Sequence, residues 1–304
     1  MAGFRIAGLA GRSARPPRSA FRPVNEITER VESITASTLH ERVPVPPSHG
    51  EVAQLARTMN SMLDRIESAS IRQRQFVSDA SHELRSPVSS IRTELEVALL
   101  HPEVTDWQEV ARNVLAEDAR LERIVTDLLF LARLDEQPGP DRIGEVDLDA
   151  VVAGEASRRR RCAIDVSAVQ PARVRGRADE LSRLVGHLLD NACRHASDRV
   201  AVGTEAVEVD GGNLVGERTV LLWVDDDGPG VPADQREAVF ERFARLEEGR
   251  SRDSGGAGLG LAVVRRIAQR HGGMVSVGDS PLGGARFEVR FPAAPAPVAP
   301  PELA

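Results

Sequence analysis

Phe76-Val77-Ser78-Asp79-Ala80-Ser81-His82-Glu83-Leu84-Arg85-Ser86-Pro87 decides what kind of helix runs through the first half of this chain. Val77, Ala80, Leu84, Ile91, Leu95 and Ala98 recur at heptad spacing, with Val77 and Leu84 at a and Ala80 at d. His82 then falls at f, the outermost position, with Glu83 beside it at g. A histidine held on a solvent-facing ridge next to a carboxylate has no packing reason. It suits a nucleophile offered to a separate catalytic unit. Most surface histidines on helices do nothing, so the decision rests on the rest of the chain.

Outward from this stretch the pattern stays helical. Pro87 removes one backbone hydrogen bond and is predicted to interrupt and bend the helix. Apolar spacing resumes to Leu99, His101-Pro102 marks a turn, and a second helix is predicted from about 104 to 134 through Val110, Val114, Leu121, Ile124, Leu128 and Leu131. That hairpin has a stripe too long to bury alone, which predicts a dimeric four-helix bundle. Upstream, Val24, Ile27, Val31 and Ile34 form one narrow seam. Val52, Leu55, Met59, Met62 and Ile66 form another, beyond a polar connector. Two short heptad helices joined this way suit a parallel coiled-coil module.

Gln137-Pro138-Gly139-Pro140 reads as a linker, and the texture beyond it is α/β. Strands are predicted at 163–166, 199–203, 219–225, 274–278 and 285–291, with helices near 178–196, 233–242 and 259–271. The Pro/Ala tail is predicted to be disordered.

The chain has 304 residues and a formal net charge of −7, which argues against nucleic acid as a partner. All its basic residues are arginine. No apolar run approaches the length of a transmembrane helix. The first 22 residues are basic and lack acids; they read as disordered or as an arm touching anionic lipid. Cys162 and Cys193 have neither metal-ligand spacing nor the density of a secreted scaffold, and are expected as reduced thiols. Arg158 to Arg161 are expected to be a solvated segment before a strand.

Three further motifs suit a nucleotide. In His187-Leu188-Leu189-Asp190-Asn191-Ala192-Cys193-Arg194-His195-Ala196, Leu184, Leu188 and Ala192 form a core stripe, and 187, 191, 194 and 195 share a polar face. Val224-Asp225-Asp226-Asp227-Gly228-Pro229-Gly230 ends an apolar strand in a glycine turn, where a carboxylate can accept from an exocyclic amine; an acidic hairpin turn explains it equally. Gly255-Gly256-Ala257-Gly258-Leu259-Gly260-Leu261 runs into a helix whose N-terminus favours phosphate. It is neither a Walker loop nor a Rossmann fingerprint. Each motif is weak alone.

Taken together, in this order, they resemble a bacterial two-component sensor histidine kinase from about residue 23 to 292. Ser81-His82-Glu83-Leu84-Arg85-Ser86-Pro87 is similar to the phosphoacceptor box and 190–196 to the N box. Asp226-x-Gly228-Pro229-Gly230 is similar to the first glycine box, Phe240-Glu241-Arg242-Phe243-Ala244-Arg245 to the F box, and Gly256-x-Gly258-x-Gly260-Leu261 to the second glycine box. Residues 23–68 resemble the HAMP relay module.

The resemblance implies a multidomain chain: an all-α coiled-coil and four-helix-bundle dimerisation region, then an α/β sandwich of the GHKL (Bergerat) ATP-binding type. Its implied divisions are a basic N-terminus at 1–22, HAMP at 23–68 and the dimerisation and phosphotransfer hairpin at 69–136. A linker at 137–145, the ATP-binding domain at 146–292 and a tail at 293–304 follow. It implies ATP and Mg²⁺ as cofactors, with Asn191 holding the metal and His187 a further metal-ligand candidate. Asp226 would read adenine; Gly228, Gly230, Gly256, Gly258 and Gly260 would shape the site under a mobile lid at about 231–257. Arg194 and Arg245 would balance phosphate charge, while Phe240 and Phe243 anchor the lid.

The implied reaction is phosphoryl transfer from ATP to His82, with Glu83 fixing the other ring nitrogen. The group would then pass to an aspartate of a response regulator. Ser86 is the candidate residue for dephosphorylating that regulator. A homodimer on the cytoplasmic side is implied; because relay modules of this type usually follow a transmembrane helix, the sequence reads either as a truncated start lacking that span or as a cytosolic variant. His187 departs from the asparagine usual there, which leaves open a nucleotide-binding pseudokinase. Another ATPase of the same superfamily would lack the hairpin with its exposed histidine.

Overall fold

The apolar heptads around His82 fold as α2, Glu51–Leu100, in a computed structural model of the chain. The structure describes residues 22–47, 50–136, 144–158, 160, 162–208, 218–244 and 257–294. Its two compact units divide between Ser78 and Asp79. Among the described residues, no helix is long and apolar enough to cross a membrane. The basic stretch 1–21 lies outside the described residues.

In the first unit, α1 (Arg22–Ser33) packs on the start of α2 around Ile27, Val43 and Ala56, with Val52, Met59 and Leu63 beside them. The Asn60 amide fixes the connector: Oδ1 accepts from the Val43 N–H at 2.8 Å and Nδ2 donates to the Val43 carbonyl at 3.0 Å. Only part of each predicted seam is covered. Val24, Val31, Leu55, Met62 and Ile66 stay exposed, because one helix facing another buries a single narrow line.

In the second unit, α2 runs through Pro87 to Leu100 without interruption, correcting the predicted break. Pro87 is buried, and the neighbouring turns keep their hydrogen bonds when one donor is lost. Asp106 caps α3 (Trp107–Glu136), its Oδ1 accepting from the N–H groups of Gln108 and Glu109 at 2.9 and 3.2 Å. Ile124, Leu131 and Leu134 of α3 join the main core, whereas Val88, Leu95, Leu99, Leu115, Val125 and Leu129 remain exposed on the hairpin.

The α/β part comprises β1 (Gly144–Asp147), α4 (Leu148–Ala156), β2 (Ile164–Val169), β3 (Arg173–Gly176), α5 (Ala178–His195), β4 (Val200–Glu208), β5 (Arg218–Asp226), α6 (Gly260–Arg270), β6 (Met274–Asp279) and β7 (Ala285–Pro292). β2-β4-β5-β7-β6 form one sheet, with β2 and β4 parallel and the other pairs antiparallel. β1 and β3 pair separately. Strand side chains alternate: Val220, Leu222 and Val224 of β5 and Phe287, Val289 and Phe291 of β7 enter the core shared with α5 and α6.

Several expectations are corrected. Gly144 and Glu145, assigned to the linker, pair in β1 with Gly176 and Arg175; residues 137–143 lie outside the described residues. The predicted helix 233–242 is two single 3₁₀ turns, Ala233–Gln235 and Ala238–Phe240, because Gly230 and Pro232 leave no periodic stripe. Ala293 and Ala294 of the expected disordered tail bond back to β3 at Val174 and Arg173; residues 295–304 lie outside the described residues. Cys162 and Cys193 are joined as a disulfide, their Cα atoms 5.5 Å apart, not as free thiols. Arg160 is not solvated: its guanidinium bonds Asp190 Oδ1 at 2.7 Å and the Glu155 backbone carbonyl.

Candidate nucleotide site

Helix α5 turns Leu181, Leu184, Val185, Leu188, Leu189 and Ala192 into the core. His187, Asn191 and His195, one turn apart, follow each other along the remaining face. Asn191 is half-buried and Arg194 exposed.

Asp226, at the end of β5, is 2% exposed. Its Oδ1 accepts from the N–H groups of Gly228 at 2.9 Å and Ala285 at 3.1 Å. No hydrogen bond falls on Oδ2 among the described residues. A Cβ on Gly284 would stand 2.3 Å from Asp226 Oδ1, and one on Gly228 would stand 2.4 Å from the His195 carbonyl oxygen. Glycine is therefore what lets this turn close onto the end of α5. Asp227 completes the junction by accepting from the N–H groups of Ser197 (2.9 Å) and Asp198 (3.1 Å), the bond from Asp198 chiefly holding its carboxyl below the usual carboxylate range.

At the other end of the same face, Gly260 opens α6, and a Cβ there would lie 3.2 Å from His187 Nδ1. Gly258 has φ +67°, and its carbonyl accepts from the Phe243 N–H at 2.9 Å. Gly230 also has positive φ, at +76°. Phe240 is buried, edge-on to Phe287 at 6.2 Å between ring centroids. The structure thus sets Gly260 against the His187 side chain on α5 and the Asp226–Gly228 turn against the backbone end of that helix at His195. Arg245, Gly256 and most of the expected lid lie outside the described residues.

His187 Nε2 lies 3.2 Å from Asp127 Oδ1 on α3, with Arg183 Nη1 3.6 Å from the same oxygen. Arg183 also stacks over Phe130, 4.3 Å from its centroid, and Arg266 donates to the Leu134 carbonyl at 3.1 Å. Sequence reasoning missed Asp127 and Arg183, since nothing in local spacing pairs residues of separate helices. Among the described residues, no three His, Cys, Asp or Glu side chains cluster to hold a metal.

His82 and Ser86 are exposed on α2. Glu83 is half-buried, 3.9 Å from Arg120 of α3, which also meets Glu117 at 3.5 Å. It is therefore not the fully solvated g residue of an isolated helix.

Comparison with known proteins follows the same division. The HAMP domain matches residues 18–68, the His Kinase A (phospho-acceptor) domain 72–137, and the histidine kinase-, DNA gyrase B-, and HSP90-like ATPase family 176–295. The probable sensor histidine kinase TcrY of Mycobacterium tuberculosis (strain ATCC 25618 / H37Rv) is 37% identical over 299 residues, covering 92% of this chain and 60% of that protein. The signal transduction histidine-protein kinase/phosphatase MprB of Mycobacterium avium (strain 104) is 34% identical over 311 residues, covering 98% of this chain and 57% of that protein. The chain thus spans less than two thirds of the length of these relatives. The solved structure of Acinetobacter baumannii histidine kinase AdeS shares the fold, with a TM-score of 0.52 at 20% identity over 70% of this chain and 98% of that one. With its helical HAMP and phosphoacceptor regions followed by an α/β ATP-binding domain, the chain belongs to the two-component sensor histidine kinases.

Proposed function

We propose that this chain transfers the γ-phosphoryl group of ATP to a ring nitrogen of His82. One observation carries the reading: Asn191 lies on α5 midway between His187, whose ring abuts Gly260, and His195, whose backbone carbonyl abuts Gly228. The last two turns of this one helix therefore meet both glycine turns. Asp226 suits the purine end, because Oδ1 is used by backbone donors and Oδ2 is left to accept from the adenine amine. The α6 N-terminus behind Gly258 and Gly260 suits the phosphate end. Arg194, with Arg245 and Gly256 beyond the described residues, completes the assigned set.

Positioning and charge balance do most of the work of phosphoryl transfer. A ring nitrogen of His82 attacks phosphorus as ADP leaves, while Glu83 accepts from the other ring N–H and so raises nucleophilicity. Asn191 would hold Mg²⁺, which supplies neutralisation of phosphate charge when bound. The phosphohistidine then passes its group to an aspartate of a response-regulator receiver domain. Ser86 is assigned to positioning water for dephosphorylation of that regulator, supported by its hydroxyl four residues after His82 and by the kinase/phosphatase name of MprB.

The exposed apolar residues of the hairpin and of the HAMP seam support a homodimer, and the HAMP module supports attachment to a membrane with the catalytic part on the cytoplasmic side. The bond formed is the test. Incubation with Mg²⁺ and γ-labelled ATP should give label stable in alkali and lost in acid. Acid-stable label, or none with nucleotide bound, would contradict phosphohistidine chemistry.

A further inference from the structure

We propose that Cys162 and Cys193 are a reversible redox site that sets nucleotide affinity. They are the chain's two cysteines, so no other intramolecular pairing competes. Both are partly accessible rather than sealed in the core. Cys193 sits in the last turn of α5, two residues after Asn191 and beside Arg194. Cys162 ends the segment between α4 and β2.

Among the described residues, that segment is fastened to α5 at two points on the same flank. Arg160 bonds Asp190 Oδ1 at 2.7 Å, and three residues further along the helix the disulfide binds Cys193. Asn191 lies between these two anchors. The same last turn of α5 ends at His195, whose carbonyl oxygen abuts Gly228, and leads to Ser197 and Asp198, whose N–H groups bond Asp227. The disulfide therefore braces the turn from which both the Asn191 end and the Asp226 end of the site are hung. Cleaving it leaves Arg160–Asp190, among the described residues, to hold that segment to the turn, and an ion pair with an exposed partner is weak.

The chemistry is thiol–disulfide exchange with a small disulfide such as oxidised glutathione. The Cys162 thiolate attacks one sulfur of the small disulfide and expels a thiolate, giving a mixed disulfide. Cys193 then attacks the Cys162 sulfur and expels the second thiolate. Two protein thiols lose two electrons and two protons, and one disulfide becomes two small thiols. Reducing surroundings keep such pairs open, so oxidation closes the brace.

The effect on affinity rests on the nucleotide reading above; the thiol state does not. The whole chain is equilibrated with oxidised glutathione or with dithiothreitol. Free thiols are then counted by alkylation and mass, and affinity for a fluorescent ATP analogue with Mg²⁺ is titrated in each state. The expected result is no alkylated cysteine when oxidised and two when reduced, with affinity about fivefold weaker on reduction and restored by reoxidation. The Cys162→Ser/Cys193→Ser variant should hold the weaker affinity in both buffers. Two free thiols after oxidised glutathione, or equal affinity in a chain whose thiols do convert, would overturn the proposal. Loss of binding in both states would overturn the nucleotide reading, and this regulation with it.

Discussion

His187 Nε2 and Asp127 Oδ1, 3.2 Å apart, tie α5 of the α/β domain to α3, the second helix of the hairpin. Both side chains are mostly buried, and Arg183 reinforces the contact. A pair of this kind contributes on the order of 1 kcal/mol or less. That is enough to shift a population of docked domains without deciding whether the chain folds. Asp127→Ala should raise the autophosphorylation rate about two- to fivefold and speed amide exchange in residues 124–134. His187→Asn should behave alike. Unchanged rate and exchange in both variants would remove the pair from control of docking.

Asp226→Asn separates the two jobs of one carboxylate. The amide oxygen can still accept from Gly228 and Ala285, so the turn survives, but in the proposed site the other position becomes a donor where the adenine amine would donate. ATP affinity should fall about 10- to 100-fold, the size of one hydrogen bond to a charged group, with little change in melting temperature. A large loss of stability at unchanged affinity would make Asp226 purely structural.

Gly203 faces Trp223 across the β4–β5 pair, and a Cβ there would stand 2.3 Å from the indole ring. The ring cannot retreat freely, because Arg286 stacks on it at 4.7 Å while binding both oxygens of Asp225. Gly203→Ala should destabilise the domain by about 1–3 kcal/mol, read by denaturant unfolding. Adding Trp223→Val should recover part of the loss.

Asp227 gives the domain a predictable acid response. Its carboxyl is held below the usual range, chiefly by the N–H of Asp198, so the unfolded chain takes up the proton before the folded one. The stabilisation is complete above the ordinary aspartate value of about 3.9 and is lost as pH falls through the lowered folded value. The gap in melting temperature between wild type and Asp227→Asn should be flat from pH 8 to about 5 and shrink below about 4. A gap that widens in acid would contradict this assignment.

The long helices and five main strands were legible because their apolar periods are regular and their ends carry turn residues. β1, α4 and β3 were not. β1 and β3 are four residues each and gain their order by pairing with each other, and the apolar residues of α4 do not form one stripe. Asn191, Asp226 and the glycines of the proposed site stand out in sequence as residue types at set spacings. Their partners do not, because Asp127, Ala285 and Gly284 come from distant chain and only packing brings them in. The disulfide was hidden for the same reason: two cysteines 31 residues apart say nothing of a 5.5 Å approach.

The residue that carries the phosphoryl group after reaction with ATP decides whether His82 is the acceptor. Wild type and His82→Gln are incubated side by side with Mg²⁺ and γ-labelled ATP, after nucleotide binding by both is verified. Acid-labile label on the wild type alone, mapped to the peptide containing His82, is the predicted result. Equal label on His82→Gln, or label mapped to another residue, would contradict it.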